Sequence, residues 1–279
     1  MNIAATRRLP GPAWDELEDV VIGERPDASI LIVMNEPVPF DAFPELRLVA
    51  NFSVGYDNID VDECRRRGIA VTNTPGVLDA AVADLAFGLI LAVRRRIATG
   101  DRTIRSGGWT LPALGREVSG ATLAVVGIGR IGAAVARRAE VFDMRVLGIS
   151  SRKGDLDAAL READVVSVHV PLSDATRGLI SRERLALLRD GATLVNTARG
   201  AIVDEDALVD ELASGRIDAG LDVFVHEPHV PERLRGLPNV VLTPHIASAT
   251  VETRAAMTRV VVDNVLAFER GEPLLTPVA

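Results

Sequence analysis

The chain has 279 residues, more than one hydrophobic core usually spans, so two domains are expected rather than one. Its 48% hydrophobic and 25% charged residues place it among folded globular proteins and exclude a disordered chain. The net charge of −8 disfavours a general nucleic-acid binder, which needs a basic face, and no apolar run is long enough to span a membrane.

Asn2 to Ala5 reads as an opening strand, ended by Arg7-Arg8-Leu9-Pro10 and Gly11-Pro12. Ser29 to Met34, between Pro26 and Pro37, is a second apolar run and Leu46 to Phe52 a third, with short helical or irregular pieces between them. Brief strands alternating with short helices indicate a small α/β layer with a parallel sheet. The third run enters a loop, Asn51 to Asp60, where Val54-Gly55-Tyr56 is followed by paired Asp and Asn residues. Open parallel sheets bind ligands at such strand ends. Asp62 to Gly68 reads as a short helix carrying the only cysteine, Cys64, a structural or surface thiol. A lone cysteine makes no internal disulfide and the N-terminus lacks signal-peptide order, so the cytoplasm is the expected compartment. Ile69 to Val71 is a further strand, stopping at Asn73-Thr74-Pro75-Gly76.

Asp79 to Arg96 has helical periodicity, with Arg94-Arg95-Arg96 in its last turn, where cations complement the helix dipole. Gly100 to Ser119, with Gly107-Gly108-Trp109 and Pro112, reads as a connection between domains. Thr122 to Val126 is a strand that breaks at Gly127-Ile128-Gly129-Arg130-Ile131-Gly132 and resumes as a helix through Ala139, followed by a strand from Arg145 to Ile149. In this strand, glycine turn, helix unit the first glycine makes the turn and the second admits a pyrophosphate. The third allows close packing, and free N–H groups at the helix start face the phosphates. Gly127, Gly129, Arg130, Ile131 and Gly132 are therefore expected to bind a dinucleotide.

The end of the second strand decides which dinucleotide. An acid there would bind the ribose 2′-hydroxyl of NAD; this chain carries Ser150-Ser151-Arg152-Lys153, two hydroxyls and two cations suited to a 2′-phosphate. NADP(H) is the preferred cofactor and NAD(H) the alternative. In the other reading Arg152 and Lys153 form a solvated turn and Asp155 is a displaced acid.

Further on, Leu156 to Ala163 reads as helix, Asp164 to Val170 as strand, Arg182 to Leu188 as helix and Ala192 to Asn196 as strand. Asp204 to Ser214 reads as helix, Ala219 to Phe224 as strand, Val240 to Leu242 as the last strand and Val251 to Glu269 as a long helix. Three successive strands thus lead into Arg199, Glu227 and His245. An arginine fork can hold a carboxylate, a histidine can pass a proton near neutral pH, and a glutamate can orient that histidine and favour its charged form. His226 and His229 flank Glu227 without a Cys or Asp/Glu cluster at ligand spacing, so no metal is expected.

The chain closely resembles the D-isomer-specific 2-hydroxyacid dehydrogenases, and among them the glyoxylate/hydroxypyruvate reductases. The carriers are TRRLP from Thr6, VGYDNID from Val54, VTNTPGVL from Val71, VADLAFGLIL from Val82 and VVGIGRIG from Val125. VHVPLSDATRGLI from Val168, NTARGAIVD from Asn196, GLDVFVHEP from Gly220 and NVVLTPHIAS from Asn239 extend the likeness over nearly the whole chain. The resemblance implies an α/β fold of two Rossmann-like domains with parallel sheets. A dinucleotide-binding domain, 81–252, would be inserted into a smaller flavodoxin-like substrate domain, 1–80 with 253–279. It implies catalytic Arg199, Glu227 and His245, substrate binding at Val54, Gly55, Arg199 and His245, and Asp222 beside the nicotinamide carboxamide. Val170, Pro171, Thr176, Thr197, Ala198, Arg199 and His245 would complete the cofactor cleft. It further implies a homodimer acting on a small 2-oxo or 2-hydroxy acid.

Two segments depart from the family pattern. Only Gly154 to Ala163 separates the Ser150 to Lys153 turn from the next strand, where a longer segment is usual, and the stretch after Trp109 is also short. The expected activity is NADPH-dependent reduction of small, unbranched 2-oxo acids such as glyoxylate or hydroxypyruvate, because the loops bring Val54, Tyr56 and Pro37 toward the substrate. Residues 35–40 offer no cation for a phosphate, and no regulatory domain follows Ala279, so phosphoglycerate is disfavoured. The alternatives are an NAD-dependent dehydrogenase of another D-2-hydroxy acid, or a dinucleotide-sensing, corepressor-like binding protein; no peptide-binding extension is visible for the latter.

Overall fold

The computed structural model describes residues 2–110, 113–152 and 154–278. The chain divides into two compact units, Met1–Leu78 with Ser248–Ala279, and Asp79–Ala247. These boundaries differ from 80/81 and 252/253 because whole helices stay together. The helix opening at Asp79 belongs entirely to the second unit, and Thr250, which caps the final helix, goes with the first.

In the first unit β1 (Ile3–Ala5), β2 (Val20–Ile22), β3 (Ile30–Val33), β4 (Leu48–Asn51) and β5 (Ala70–Thr72) form a parallel sheet in the order β2-β1-β3-β4-β5. That is the flavodoxin-like winding, with its switch point between β1 and β3. Strands β3 and β4 are buried at every position, as strands covered on both faces must be. Strand β2 lies in a stretch read as helical or irregular; it is a three-residue edge strand with Val21 and Ile22 exposed, too short to show a period. Helix α1 (Val61–Arg67) starts where the Asp60 carboxylate accepts the Glu63 N–H at 2.8 Å, and it buries Cys64 against Val49, Ile69 and Val71. Burial, with Asp60 and Glu63 nearby, pushes the Cys64 thiol up to about 11, so it is an inert core group.

The second unit opens with α2 (Asp79–Arg94) and α3 (Ile97–Arg105). It continues through β6 (Thr122–Val126), α4 (Arg130–Val141), β7 (Arg145–Ile149), α5 (Leu156–Glu162) and β8 (Val165–Val168). Then follow α6 (Arg182–Ala186), β9 (Thr193–Asn196), α7 (Glu205–Ala213), β10 (Asp218–Leu221), α8 (Glu232–Arg235) and β11 (Val240–Leu242). The six strands are parallel, in the order β11-β10-β9-β8-β6-β7. Along β6 the side chains alternate between two cores, Leu123 and Val125 joining α2 and α4, Ala124 and Val126 joining α5 to α7.

Counted from β6 this order is 2-1-3-4-5-6, whereas the common dinucleotide fold runs 3-2-1-4-5-6. Among the described residues no strand lies outside β7. Between β7 and β8 the chain has room only for the seven-residue α5, so it returns at once to the far side of β6 and leaves β7 as an edge.

Two expectations are corrected. The stretch from Gly100 is not simply a connection between domains: α3 occupies Ile97–Arg105, and the segment lies wholly within the second unit. The arginine triplet is more than a helix end. Arg94 is buried and donates to the carbonyls of Glu117 (2.6 and 2.9 Å) and Asp164 (3.2 Å), while Arg96 pairs with buried Asp218 at 2.9 Å. Guanidinium donors are thus taken up by carbonyls and a carboxylate of other elements, which dipole reasoning on one helix does not foresee. The final helix, α9 (Val251–Glu269), completes the first unit; its Thr250 hydroxyl accepts the Thr253 N–H at 3.1 Å. No helix among the described residues is long and apolar enough to cross a membrane.

Candidate active site

The glycine turn stands where β6 meets α4. Gly127 has φ +103° and donates its N–H to Ile149 at 2.8 Å; a Cβ there would lie 2.7 Å from the His169 backbone. At Gly132 a Cβ would lie 2.0 Å from the Gly127 carbonyl oxygen, so α4 could not pack where it does. Gly129 differs: its φ of −91° suits any residue and nothing lies within 4 Å of a Cβ placed on it. Open space beside the start of a 12-residue helix is the cradle a pyrophosphate needs and a side chain would fill. The loop therefore fits a dinucleotide. Arg130 is largely exposed and pairs with Asp79 at 3.3 Å, and Ile131 is partly buried behind it.

At the end of β7, Ser150, Ser151 and Arg152 are exposed, and the Arg152 N–H donates to the Ser150 hydroxyl at 3.3 Å. Lys153 lies outside the described residues. Asp155 caps α5, accepting the Ala158 N–H at 3.1 Å.

On the other side of the glycine turn, Val170 follows His169, whose N–H donates to Val126 at 2.7 Å and whose ring meets the Ser167 hydroxyl at 2.7 Å. Burial lowers the His169 pKa to about 4, so the ring is neutral at ordinary pH. The Thr176 hydroxyl donates to the Pro171 carbonyl at 2.6 Å and accepts the Ser173 N–H at 2.8 Å, closing the 171–176 turn. Beyond β9, buried Asn196 accepts the Ala198 N–H at 3.0 Å and donates to the Arg199 carbonyl at 2.8 Å, which fixes the Thr197–Arg199 turn. The Thr197 hydroxyl is buried without a hydrogen-bond partner, a polar orphan that a bound ligand could satisfy.

Within this unit the geometry unites the expected trio. His245 Nδ1 lies 2.7 Å from Glu227 Oε2, both side chains about one-third exposed, and Glu227 Oε1 accepts the Phe224 N–H at 3.0 Å. Burial alone would raise the Glu227 carboxyl. The hydrogen bonds from His245 and Phe224, with the charges of His245 and Arg199, outweigh it and hold the group below the usual carboxylate range. Arg199 is drawn close by its neighbour: a Cβ on Gly200 would lie 2.1 Å from the Phe224 carbonyl carbon, so the turns carrying Arg199 and Glu227 touch through their backbones. The Arg199 Nη1 donates to the Ala198 carbonyl at 2.8 Å.

Asp222 has a part not foreseen from the sequence. It is fully buried; one carboxylate oxygen accepts the Thr243 hydroxyl (2.6 Å) and the Ile246 N–H (2.8 Å), the other the Ala247 N–H (2.9 Å). Burial raises its pKa against the pull of these donors. The carboxylate is the centre on which the 243–247 turn is wound, and His245 occupies that turn with φ +54°.

Val54 and Gly55 lie after β4 in the first unit. Arg254, in the first turn of α9 of the same unit, stands 5.4 Å above the Phe52 ring, and burial with Arg7 nearby lowers its pKa. A cation therefore stands beside the loop that follows β4; the long separation in sequence between Phe52 and Arg254 hid it. His226 and His229 are exposed and form an isolated antiparallel bridge, and no metal-holding cluster exists among the described residues.

Residues 87–247 match the family described as D-isomer specific 2-hydroxyacid dehydrogenase, NAD binding domain. The glyoxylate reductase of Pyrococcus furiosus is 46% identical over 93% of this chain and 86% of its own length. The crystal structure of the TT0316 protein from Thermus thermophilus superposes with a TM-score of 0.92 at 42% identity, covering 100% of both chains. That of an NADPH-dependent glyoxylate/hydroxypyruvate reductase from Sinorhizobium meliloti, in complex with NADP and malonate, gives 0.88 at 39% identity, covering 100% of this chain and 96% of the other.

Proposed function

Because this chain belongs to the D-isomer specific 2-hydroxyacid dehydrogenase family, and is an NAD(P)-dependent oxidoreductase of that family, we propose that it reduces small 2-oxo acids, glyoxylate and hydroxypyruvate foremost, with NADPH. The observation that carries this reading is the 2.7 Å contact between Glu227 and His245 Nδ1. With Nδ1 engaged, Nε2 is the nitrogen left to give a proton to the carbonyl oxygen. The bound nicotinamide supplies hydride to the carbonyl carbon. His245 neutralises the charge that develops on oxygen, and Glu227 sustains the protonated ring. Arg199 is assigned to the substrate carboxylate as a donor fork, and the amides of Val54 and Gly55, in the first unit, are assigned as a carboxylate subsite.

The unit 79–247 is the cofactor-binding part in this reading, with Gly127 to Gly132, Val170, Pro171, Thr176 and Thr197 to Arg199 around the dinucleotide. Asp222 and His245 stand by its nicotinamide. NADPH preference is supported by Ser150, Ser151 and Arg152 beyond β7 and by the use of Asp155 as a helix cap. The same reading includes a cytoplasmic homodimer. Its test is oxidation of NADPH and of NADH by the purified protein with glyoxylate, hydroxypyruvate and phosphohydroxypyruvate. Turnover of the first two with NADPH is expected; preference for phosphohydroxypyruvate, or no turnover of any 2-oxo acid, overturns it.

A further inference from the structure

We propose that the C-terminal segment 275–278 is part of the substrate-binding machinery, acting through Asn73 to aim the Val54 and Gly55 amides at a carboxylate. The inference rests on the function proposed above and assigns positioning residues to its carboxylate subsite.

Three successive carbonyls of the loop are held. Ser53 accepts from the Thr74 N–H at 3.0 Å and from Asn51 Nδ2 at 3.5 Å, Val54 from Asn73 Nδ2 at 2.9 Å, and Gly55 from Asn51 Nδ2 at 2.7 Å. In a trans peptide the carbonyl of one residue and the N–H of the next point in opposite directions. Anchoring the carbonyls of Ser53, Val54 and Gly55 therefore turns the N–H groups of Val54, Gly55 and Tyr56 to the other side. Consecutive amides so presented form an anion-binding concavity. Asn51 is fully buried, so this half of the clamp is rigid.

Asn73 is the other half, and its own position is set from 203 residues away. Its carbonyl accepts the Thr276 hydroxyl at 2.6 Å, and its N–H donates to the Thr276 carbonyl at 3.3 Å. Thr276 is gripped by fully buried Asn264 of α9, whose Nδ2 donates to the Thr276 hydroxyl at 3.0 Å. The Asn264 oxygen accepts the N–H groups of Leu275 (3.0 Å) and Thr276 (3.2 Å). The segment is then pinned along β5: Thr72 and Pro277 form an antiparallel bridge, and the Val278 N–H donates to the Val71 carbonyl at 2.8 Å. A continuous chain of bonds runs from α9 through Thr276 and Asn73 to Val54, and each link lies within the first unit. Packing alone would not require a hydroxyl at 276 or a donor at 73; fixing one peptide plane does.

Asn73→Asp keeps the shape and replaces the donor with an acceptor, while Thr276→Val removes the hydroxyl and Thr276→Ser keeps it. The KM for glyoxylate is expected to rise about tenfold in Asn73→Asp and several-fold in Thr276→Val, and to return to the wild-type value in Thr276→Ser. The Kd for NADPH, read by fluorescence, should stay within twofold throughout. Binding of oxamate is followed in parallel by the NMR shift of the Gly55 amide, a readout that needs no turnover. Oxamate should shift that amide in the wild type and bind about tenfold more weakly to Asn73→Asp. Folded variants with unchanged KM and unchanged oxamate affinity, differing only in unfolding midpoint, would overturn the inference. A wild type that binds oxamate at Gly55 yet reduces no 2-oxo acid would instead overturn the proposed function.

Discussion

His245 donates its backbone N–H to the Asp222 carbonyl at 2.9 Å, and the Asp222 carboxylate collects the Thr243 hydroxyl and the next two amides, so a single buried acid holds the histidine's left-handed turn. A non-glycine residue at positive φ persists only where its surroundings over-determine it. Asp222→Asn would aim an N–H₂ at backbone N–H donors and leave a buried group unsatisfied, at about 1–3 kcal/mol. Urea unfolding should show a loss of that order, and kcat should fall at least tenfold because the ring loses its aim. Thr243→Val should do the same more weakly. A fully active Asp222→Asn enzyme would show that the turn holds without the acid.

For the trio itself, His245→Ala should lose on the order of 10²–10⁴ in kcat while still binding NADPH. Glu227→Gln keeps the side-chain shape but removes the carboxylate that faces Nδ1, so kcat should fall while NADPH binding holds. Arg199→Ala should chiefly raise KM. Near wild-type kcat across pH in His245→Ala would remove the basis for all three roles.

Cofactor choice should depend on Arg152. A hydrogen bond to a charged group contributes roughly 1.5–3 kcal/mol, and about 1.4 kcal/mol is tenfold in affinity. Arg152→Ala should weaken NADPH binding at least tenfold and leave NADH nearly unchanged; equal losses would assign Arg152 a structural role. Gly129→Val should weaken both cofactors with little change in the unfolding midpoint, because its side chain would enter open space and its φ is ordinary.

His169 links stability to pH. Its folded pKa, about 4, lies below that of an exposed histidine, so the unfolded chain binds more protons between about pH 6.5 and 4. The stabilisation is complete above that window and is lost as pH falls through it, on the order of 1–3 kcal/mol. His169→Asn should therefore show a smaller drop in melting temperature than the wild type between about pH 7.5 and about pH 5. Parallel drops would mean that the ring is solvated.

Local patterns in the chain determined the glycine turn, the burial of β3 and β4 and the bounds of β11 and α9, because each depends on a short run of residues and its period. They also placed Arg199, Glu227 and His245 after consecutive strands, since parallel topology carries strand ends to one edge of the sheet. The tertiary structure alone decided the rest. The three-residue β2 exists only because β1 offers a free edge, and β7 became an edge because α5 is too short to carry another strand outward. Asp222, Arg94, Asn73 and Thr276 act through bonds to residues far along the chain or to backbone atoms of another turn. A buried polar group must find its partner in space, and no periodicity records which partner that is.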